Sequence, residues 1–337
     1  MAGGGHGLQQ SDFSPKVSVV VVTYRSMNEL PGCVESVLKQ SVPLEILLID
    51  NASPDGTTQM VSDIAKRNDN VHAILNSENI GLAAGNNCAL GKCHGDYVLI
   101  LNPDTVLVEK TLERMVRFLE LNPEVGALGP KSLYEDGTPH VSFHRHWRLL
   151  HVIAWRILPY RFVRAFYDRF SSFEFQEVLF VSGACLLVRR GIFEQIGGYD
   201  PEYFLTVEDA IDLCIRVKNS GSRIVFYPDA EVIHFTGRSG SQAHYLVVWQ
   251  GVRGTVYHFL KHKGKVSALL VSALLGLATL VRILIAGVLS IASKKYRAVA
   301  RTYSRVLWDL MVRNPILTHG ASTNGNNRGK ECAQDFS

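Results

Sequence analysis

Residues 17–24 read VSVVVVTY, a nearly unbroken β-branched run. Such a run suits a strand buried on both faces, and that requires a parallel sheet covered by helices on each side. A second apolar run, EILLI at 45–49, ends at Asp50. Between them, Leu30, Val34, Val37 and Leu38 recur at helical spacing within Glu29 to Lys39. Strand, helix, strand is a βαβ unit. The pattern continues with a predicted helix at 57–67, a strand at 71–75, a helix opening after Gly81 and a strand at 97–101. The chain up to about residue 130 therefore reads as α/β, an open, mostly parallel sheet flanked by helices. Further on, 178–190 reads as one buried strand and 192–196 as a short helix stopped by Gly197-Gly198. A helix at 208–220 is stopped by Gly221, and strands follow at 224–227 and 231–235.

Ligands bind such sheets beyond the carboxyl ends of the strands. At those ends stand Thr23, Tyr24, Arg25, Asp50, Asn51, Asn76 and the trio Asn102-Pro103-Asp104. They leave separate strands and should converge on one crevice. Each also has a plainer explanation. DNASPDG at 50–56 is turn chemistry, 79–87 suits a loop and a helix cap, and Asn102-Pro103-Asp104 suits a strand-ending turn. Their shared position at the ends of predicted parallel strands is what favours a site.

Hydrophobic residues make up 47% of the chain, which excludes a disordered polymer. A net charge of +4 is too small to argue for nucleic acid as a partner. The six cysteines form no C-x-x-C pair, which disfavours zinc or thioredoxin-like chemistry. Scattered through apolar runs, they read as reduced core residues.

Two segments point to a membrane. Between 140 and 170, Arg145, Arg148, Arg156, Arg161, Arg164 and Arg169 alternate with Trp147, Trp155, Phe162 and Phe166, opposed only by Asp168. This stretch either lies on an anionic membrane surface or is a solvated helical insertion at the sheet edge. The run 266–292 is apolar except for Arg282 and is long enough to cross a bilayer. However, Lys261, Lys263 and Lys265 precede it, and Lys294, Lys295, Arg297 and Arg301 follow. A single span would place one basic cluster on the wrong side and Arg282 deep in hydrocarbon. The expectation is in-plane or hairpin association with the cytoplasmic face of the cell membrane; a buried helix pair is the alternative. The chain then divides into a disordered 1–15, a main domain at 16–265 carrying the 138–175 insertion, membrane-associated helices at 266–315 and a disordered tail at 316–337.

Six ordered motifs carry a more specific signal. VVVTYRS at 20–26, DNASPDGT at 50–57, NIGLAAGNN at 79–87, LILNPDT at 99–105, VSGACLLVRR at 181–190 and GGYDPEYFLTVEDAIDLCIR at 197–216 resemble glycosyltransferase family 2, most closely its rhamnosyltransferase-like branch. The resemblance spans about residues 16 to 265. It implies a GT-A fold and transfer of a sugar from a nucleotide-diphosphate donor to an acceptor hydroxyl, with inversion.

The resemblance also implies roles. Tyr24 would stack on the base and Asp50 would accept hydrogen bonds from base or ribose, with Thr23, Arg25 and Asn51 nearby. Asn79 and Gly81 would border the nucleotide, and Gly81 would let backbone approach the ligand. The leaving diphosphate gains negative charge, which Mg²⁺ or Mn²⁺ stabilises. The family's acidic metal motif falls on Asn102-Pro103-Asp104, so Asp104 carries the charge, with His234 as a second ligand. Arg238, in GRSG at 237–240, would contact phosphate. The family's base is the Asp of a Glu-Asp pair, here Asp209, with Glu208 as the fallback. One residue more than usual separates this pair from Asp212, so anchoring the comparison on the right would instead place Ala210 at the base position. The acceptor expected is a lipid-linked glycan in cell-surface polysaccharide synthesis, and the donor sugar a deoxyhexose such as rhamnose. Transfer to polyprenyl phosphate, or a non-catalytic sugar-nucleotide-binding scaffold, are the alternatives.

Overall fold

The computed structural model describes residues 14–146, 160–235, 244–291 and 293–318. The expected disorder at 1–13 and 319–337, the Arg148, Arg156, Trp147 and Trp155 positions, and Arg238 lie outside the described residues. The tail expected to be disordered from 316 is instead helical through Thr318, because Ile316 is buried.

The β-branched run forms β1 (Val17–Thr23), and α1 (Leu30–Leu38) returns the chain to β2 (Leu44–Asp50). Next come α2 (Thr57–Arg67), β3 (Val71–Leu75), α3 (Leu82–Asn87) and β4 (Tyr97–Leu101). These four strands pair in parallel in the order β3-β2-β1-β4. Alternation along them divides two cores. Val20, Val22, Leu47, Ile49 and Ile100 face one side, and Val19, Val21, Ile46, Leu48 and Leu99 face the other. Register places Thr23 beside Asp50 and Val20 beside Ile100, so the polar residues that follow leave the sheet at one edge.

The sheet continues through β5 (Thr105–Leu107), α4 (Thr111–Leu121), β6 (Val125–Leu133) and the short β7 (Pro139–His140) and β8 (Phe143–His144). Then follow α5 (Tyr160–Phe170), β9 (Gln176–Glu177), β10 (Phe180–Val181), β11 (Cys185–Arg189), α6 (Arg190–Gln195), α7 (Glu208–Asn219) and β12 (Arg223–His234). The full order is β3-β2-β1-β4-β11-β6-β12-β5, with β11 and β5 antiparallel to their neighbours. Two expectations are corrected. The segment 178–190 is not one strand. Ser182 accepts at its Oγ from Ala184 N (3.2 Å), a local turn that sends β10 to pair with β8 and β11 into the main sheet. Conversely, 223–234 is one strand, and its register against β6 shifts between Tyr227 and Glu231, where Pro228 has no N–H to donate.

The C-terminal region is α8 (His244–Leu289), α9 (Lys294–Val312) and α10 (Pro315–Thr318). The α8 backbone leaves helical geometry at Gly264 (φ 82°, ψ 172°), so two helices meet there. The half before Gly264 buries Trp249, Val252, Val256 and Phe259 in the sheet's core. The half after it packs Ala268, Val271 and Leu275 with Val306 and Leu310 of α9. Arg282, the one charge in the apolar run, lies over the Tyr303 ring at 5.3 Å.

A buried ionic joint ties α7 to α8. The fully buried Asp212 carboxylate accepts from Arg216 Nε (2.8 Å) and Lys261 Nζ (2.7 Å), and His262 Nε2 lies 2.7 Å from its Oδ1. Burial alone would raise this carboxyl; the His262 and Lys261 contacts outweigh it and hold it below the usual carboxylate range. Lys261 also reaches Asp200 (2.6 Å), and Arg253 pairs with Glu202 (2.7 Å). Because the folded carboxyl is the stronger acid, its contribution is present above about pH 4 and is lost as pH falls further. Asp212→Ala leaves Arg216 and Lys261 facing a gap, and urea denaturation in detergent should show a loss of about 3 kcal/mol.

Candidate active site

The expected strand-end residues do converge, although not all face the same space. Asp50 is fully buried and its carboxylate is taken up by the protein. It accepts from Thr23 Oγ1 (2.9 Å), Ser53 N (3.0 Å), Ser53 Oγ (2.6 Å) and Thr58 Oγ1 (2.6 Å). Asp50 and Thr23 thus build the loop after β2. Asn51 ties three strand ends together. Its N–H donates to Thr23 O (2.9 Å), its Nδ2 to Gly81 O (3.0 Å), and its Oδ1 accepts from Asn76 Nδ2 (2.8 Å).

A cleft of about 410 Å³ opens at this edge. Tyr24, Arg25, Asn51, Asn79, Gly81 and Asn102 line it. Arg25 lies over the Tyr24 ring at 5.7 Å and adopts positive φ (55°), while its N–H donates to Ser53 Oγ (3.0 Å). Asn79 Oδ1 accepts from Gly81 N (3.0 Å), closing a tight turn. At Gly81 (φ 89°) a Cβ would sit 2.6 Å from Phe204 O, and Leu82 N donates to that same oxygen (2.6 Å). The close approach that Gly81 permits is therefore of Phe204 as well as of space in the cleft.

The opposite wall was not foreseen from the sequence. It is formed by Phe204–Val207 and by Leu246, Val247 and Gly251 of α8. Gly254 lets α8 press against this loop, since a Cβ there would sit 2.7 Å from Thr206 Cγ2. Gly251 and Gly254, three apart on one helix, were the available signal of a close approach.

Asp104 directly follows Asn102 and Pro103 of the cleft lining and meets His234 at the end of β12. Thr105 pairs with His234 between β5 and β12, and His234 Nε2 comes within 3.4 Å of Asp104 Oδ1. Both side chains are nearly buried. His234 Nδ1 has no hydrogen-bond partner among the described residues. One carboxylate from the turn between β4 and β5 and one imidazole at the end of β12 form a donor set that Mn²⁺ or Mg²⁺ accepts, with positions left for phosphate oxygens. Among the described residues no group of three such ligands occurs.

Glu208 and Asp209 open α7 behind Thr206 and Val207. Glu208 is fully buried and occupied: Thr206 Oγ1 and Thr255 Oγ1 (2.6 Å) both donate to it. Asp209 is buried too, but its Oδ2 has no hydrogen-bond partner among the described residues. Burial pushes its carboxyl up to about 8, and the nearby Glu208 and Asp212 carboxylates add to the rise against the Ala210 N–H. Of the pair, Asp209 is thus the one poised to exchange a proton near neutral pH.

The sequence profile described as Glycosyl transferase family 2 matches residues 18–197. The chain belongs to this family. N-acetylglucosaminyl-diphospho-decaprenol L-rhamnosyltransferase of Mycobacterium tuberculosis is 32% identical over 239 residues, 66% of this chain and 76% of that protein. A mannosyltransferase of Pyrobaculum calidifontis, solved in complex with GDP-Man and Mn²⁺, matches with a TM-score of 0.53 at 19% identity over 90% of this chain and 88% of that one. GalNAc-T7, solved with UDP, GalNAc and Mn²⁺, matches with a TM-score of 0.54 at 18% identity over 74% of this chain and 48% of that one. These structures share the GT-A fold, and this family 2 glycosyltransferase has it as well.

If Asp209 must lose a proton for turnover, kcat/KM should rise with pH along a limb centred near 8 and level off above it. A pH–rate profile checks this; a flat profile from pH 6 to 9 would remove the role from Asp209.

Proposed function

We propose that the enzyme moves a sugar from a nucleoside-diphosphate donor to a hydroxyl of a lipid-linked glycan, inverting the anomeric centre. The observation that supports this most is the buried Asp209 carboxyl, whose Oδ2 has no hydrogen-bond partner among the described residues, behind the wall of a cleft whose other side is the strand-end edge. In this reading the nucleoside lies against Tyr24 and Asn51. The Asp209 carboxylate takes the acceptor hydroxyl's proton as that oxygen bonds to the anomeric carbon. The bond from this carbon to the diphosphate oxygen breaks, and the nucleoside diphosphate leaves. Asp104 and His234 would hold Mg²⁺ or Mn²⁺, which supplies positive charge for the departing diphosphate. Apolar residues Phe204, Leu205, Leu246 and Val247 in the wall suit the methyl group of a deoxyhexose such as rhamnose. The rhamnosyltransferase relative supports the same donor class and a lipid-linked acceptor.

The same reading places the enzyme on the cytoplasmic face of a membrane. Beyond Gly264, α8 exposes Leu270, Leu277, Val281, Leu284 and Val288, spaced three, four or seven apart. A stripe of this size marks an interaction surface. The partner helix α9 exposes Arg297, Arg301 and Arg305 and is too polar to cross hydrocarbon. The pair therefore lies in the interface plane, with the α8 stripe in the lipid and the basic residues at the headgroups.

The donor reading is tested by nucleotide release from a panel of nucleotide-diphosphate sugars in detergent. One donor should be turned over with Mn²⁺ and not with EDTA. Asp104→Ala and Asp209→Asn should each lower transfer about a hundredfold or more. Retained turnover in both would overturn the assignment, and loss in Asp104→Ala alone would favour a phosphate acceptor that needs no base. The membrane reading is tested by flotation with anionic vesicles, where Leu284→Asp with Val288→Asp should weaken binding about tenfold or more. Unchanged flotation would reject the stripe as the lipid contact.

A further inference from the structure

His140 was not among the residues expected to matter, yet the sheet carries it to the metal-binding end. Ser132 of β6 pairs with His140 of β7 on one side and with Val232 of β12 on the other. Strand alternation then puts Tyr134, His140 and His234 on one face. Their rings form a stack. Tyr134 and His140 lie 4.5 Å apart at 23°, and His140 and His234 lie 5.8 Å apart at 38°. Asp168 of α5 anchors this stack twice. It accepts from Tyr134 hydroxyl (2.9 Å) and from the N–H of Val141, next to His140 (2.9 Å). The β6–β7 turn is closed by Tyr134 N donating to Thr138 O (2.8 Å).

A ligating imidazole is ordinarily oriented by a hydrogen bond at its other ring nitrogen. His234 has Nε2 toward Asp104, while its Nδ1 is buried and makes no hydrogen bond among the described residues. Its orientation must then come from packing, and the His140 ring supplies that packing. We propose that His140, held by Tyr134 and Asp168, is a positioning residue that fixes the His234 imidazole toward Asp104. This rests on the reading of Asp104 and His234 as metal ligands. His140 itself need not touch the metal; the flat ring is what matters.

The test is Mn²⁺ binding to the full chain in detergent, read from the EPR signal of free Mn²⁺, with UDP, GDP and dTDP present in parallel. Wild type that binds Mn²⁺ with none of them overturns the metal reading itself, before any variant is made. With binding established, His140→Ala should weaken it about tenfold or more, the usual scale for loss of a residue supporting a metal ligand. His140→Phe keeps a flat ring and should stay within about twofold of wild type. Should His140→Ala fail to fold, Tyr134→Leu, which removes the stack from the other side, should weaken binding severalfold. Unchanged Mn²⁺ affinity in the Ala or Leu variant overturns the proposal. His140→Phe as weak as His140→Ala also overturns it, because the effect would then belong to a ring nitrogen.

Discussion

Parallel pairing of β1 with β2 and β4 is the constraint on which everything else rests. A strand of Val residues can be buried on both faces only if helices cover each face and crossovers return the chain to the same edge. Crossovers bring every loop that follows a parallel strand to one end of the sheet. Thr23, Asp50, Asn76 and Asn102 reach one edge for that reason, before any ligand is considered. Asp50 then shows how such an edge is made rigid. A carboxylate without exposure is stable there because four donors converge on it, and those donors fix the loop that carries Asn51 into the cleft.

The second half of the architecture is the length of α8. Its first half walls the cleft through Leu246, Val247 and Gly251, receives Glu208 through Thr255 and closes on Asp212 through Lys261 and His262. Its second half presents the exposed apolar stripe. α9 also reaches back to the start of α8, where the Tyr245 hydroxyl donates to Asp309 and Arg305 lies over the Tyr245 ring at 4.1 Å. The proposed lipid contact and the helix carrying Asp209 are thus linked by buried polar contacts rather than by a loose tether. In this account a lipid-linked acceptor meets the cleft at a wall already fixed relative to the membrane surface.

Much of this was legible in the sequence because its signals are local. The β-branched runs, the helical spacing at 57–67 and the glycines at 197, 198 and 221 mark elements directly, and the structure has positive φ at all three of those glycines. What was not legible depends on distant partners. Nothing in DNASPDG says that the Asp50 carboxylate is consumed by Thr23 and Thr58 rather than left facing the cleft. The break at Ser182 depends on a side chain turning onto its own backbone, which a run of apolar residues conceals. The apolar wall from α8 was hidden because 266–292 dominates the composition there and draws attention from the residues before it. The extra residue between Asp209 and Asp212 gave the sequence no way to rank these acids; burial separates them, because Glu208 is taken by Thr206 and Thr255 and Asp212 by Arg216, Lys261 and His262, while Asp209 Oδ2 has no hydrogen-bond partner among the described residues.

The central claim is that this sheet edge binds a nucleoside diphosphate beside a metal held by Asp104 and His234. The most direct measurement is an anomalous difference map from crystals grown with Mn²⁺ and a nucleoside diphosphate that the protein binds. The expected result is a peak between the Asp104 carboxylate and the His234 ring, with the nucleoside against Tyr24 and Asn51. A manganese peak elsewhere, or a nucleotide ordered outside the cleft, would contradict it.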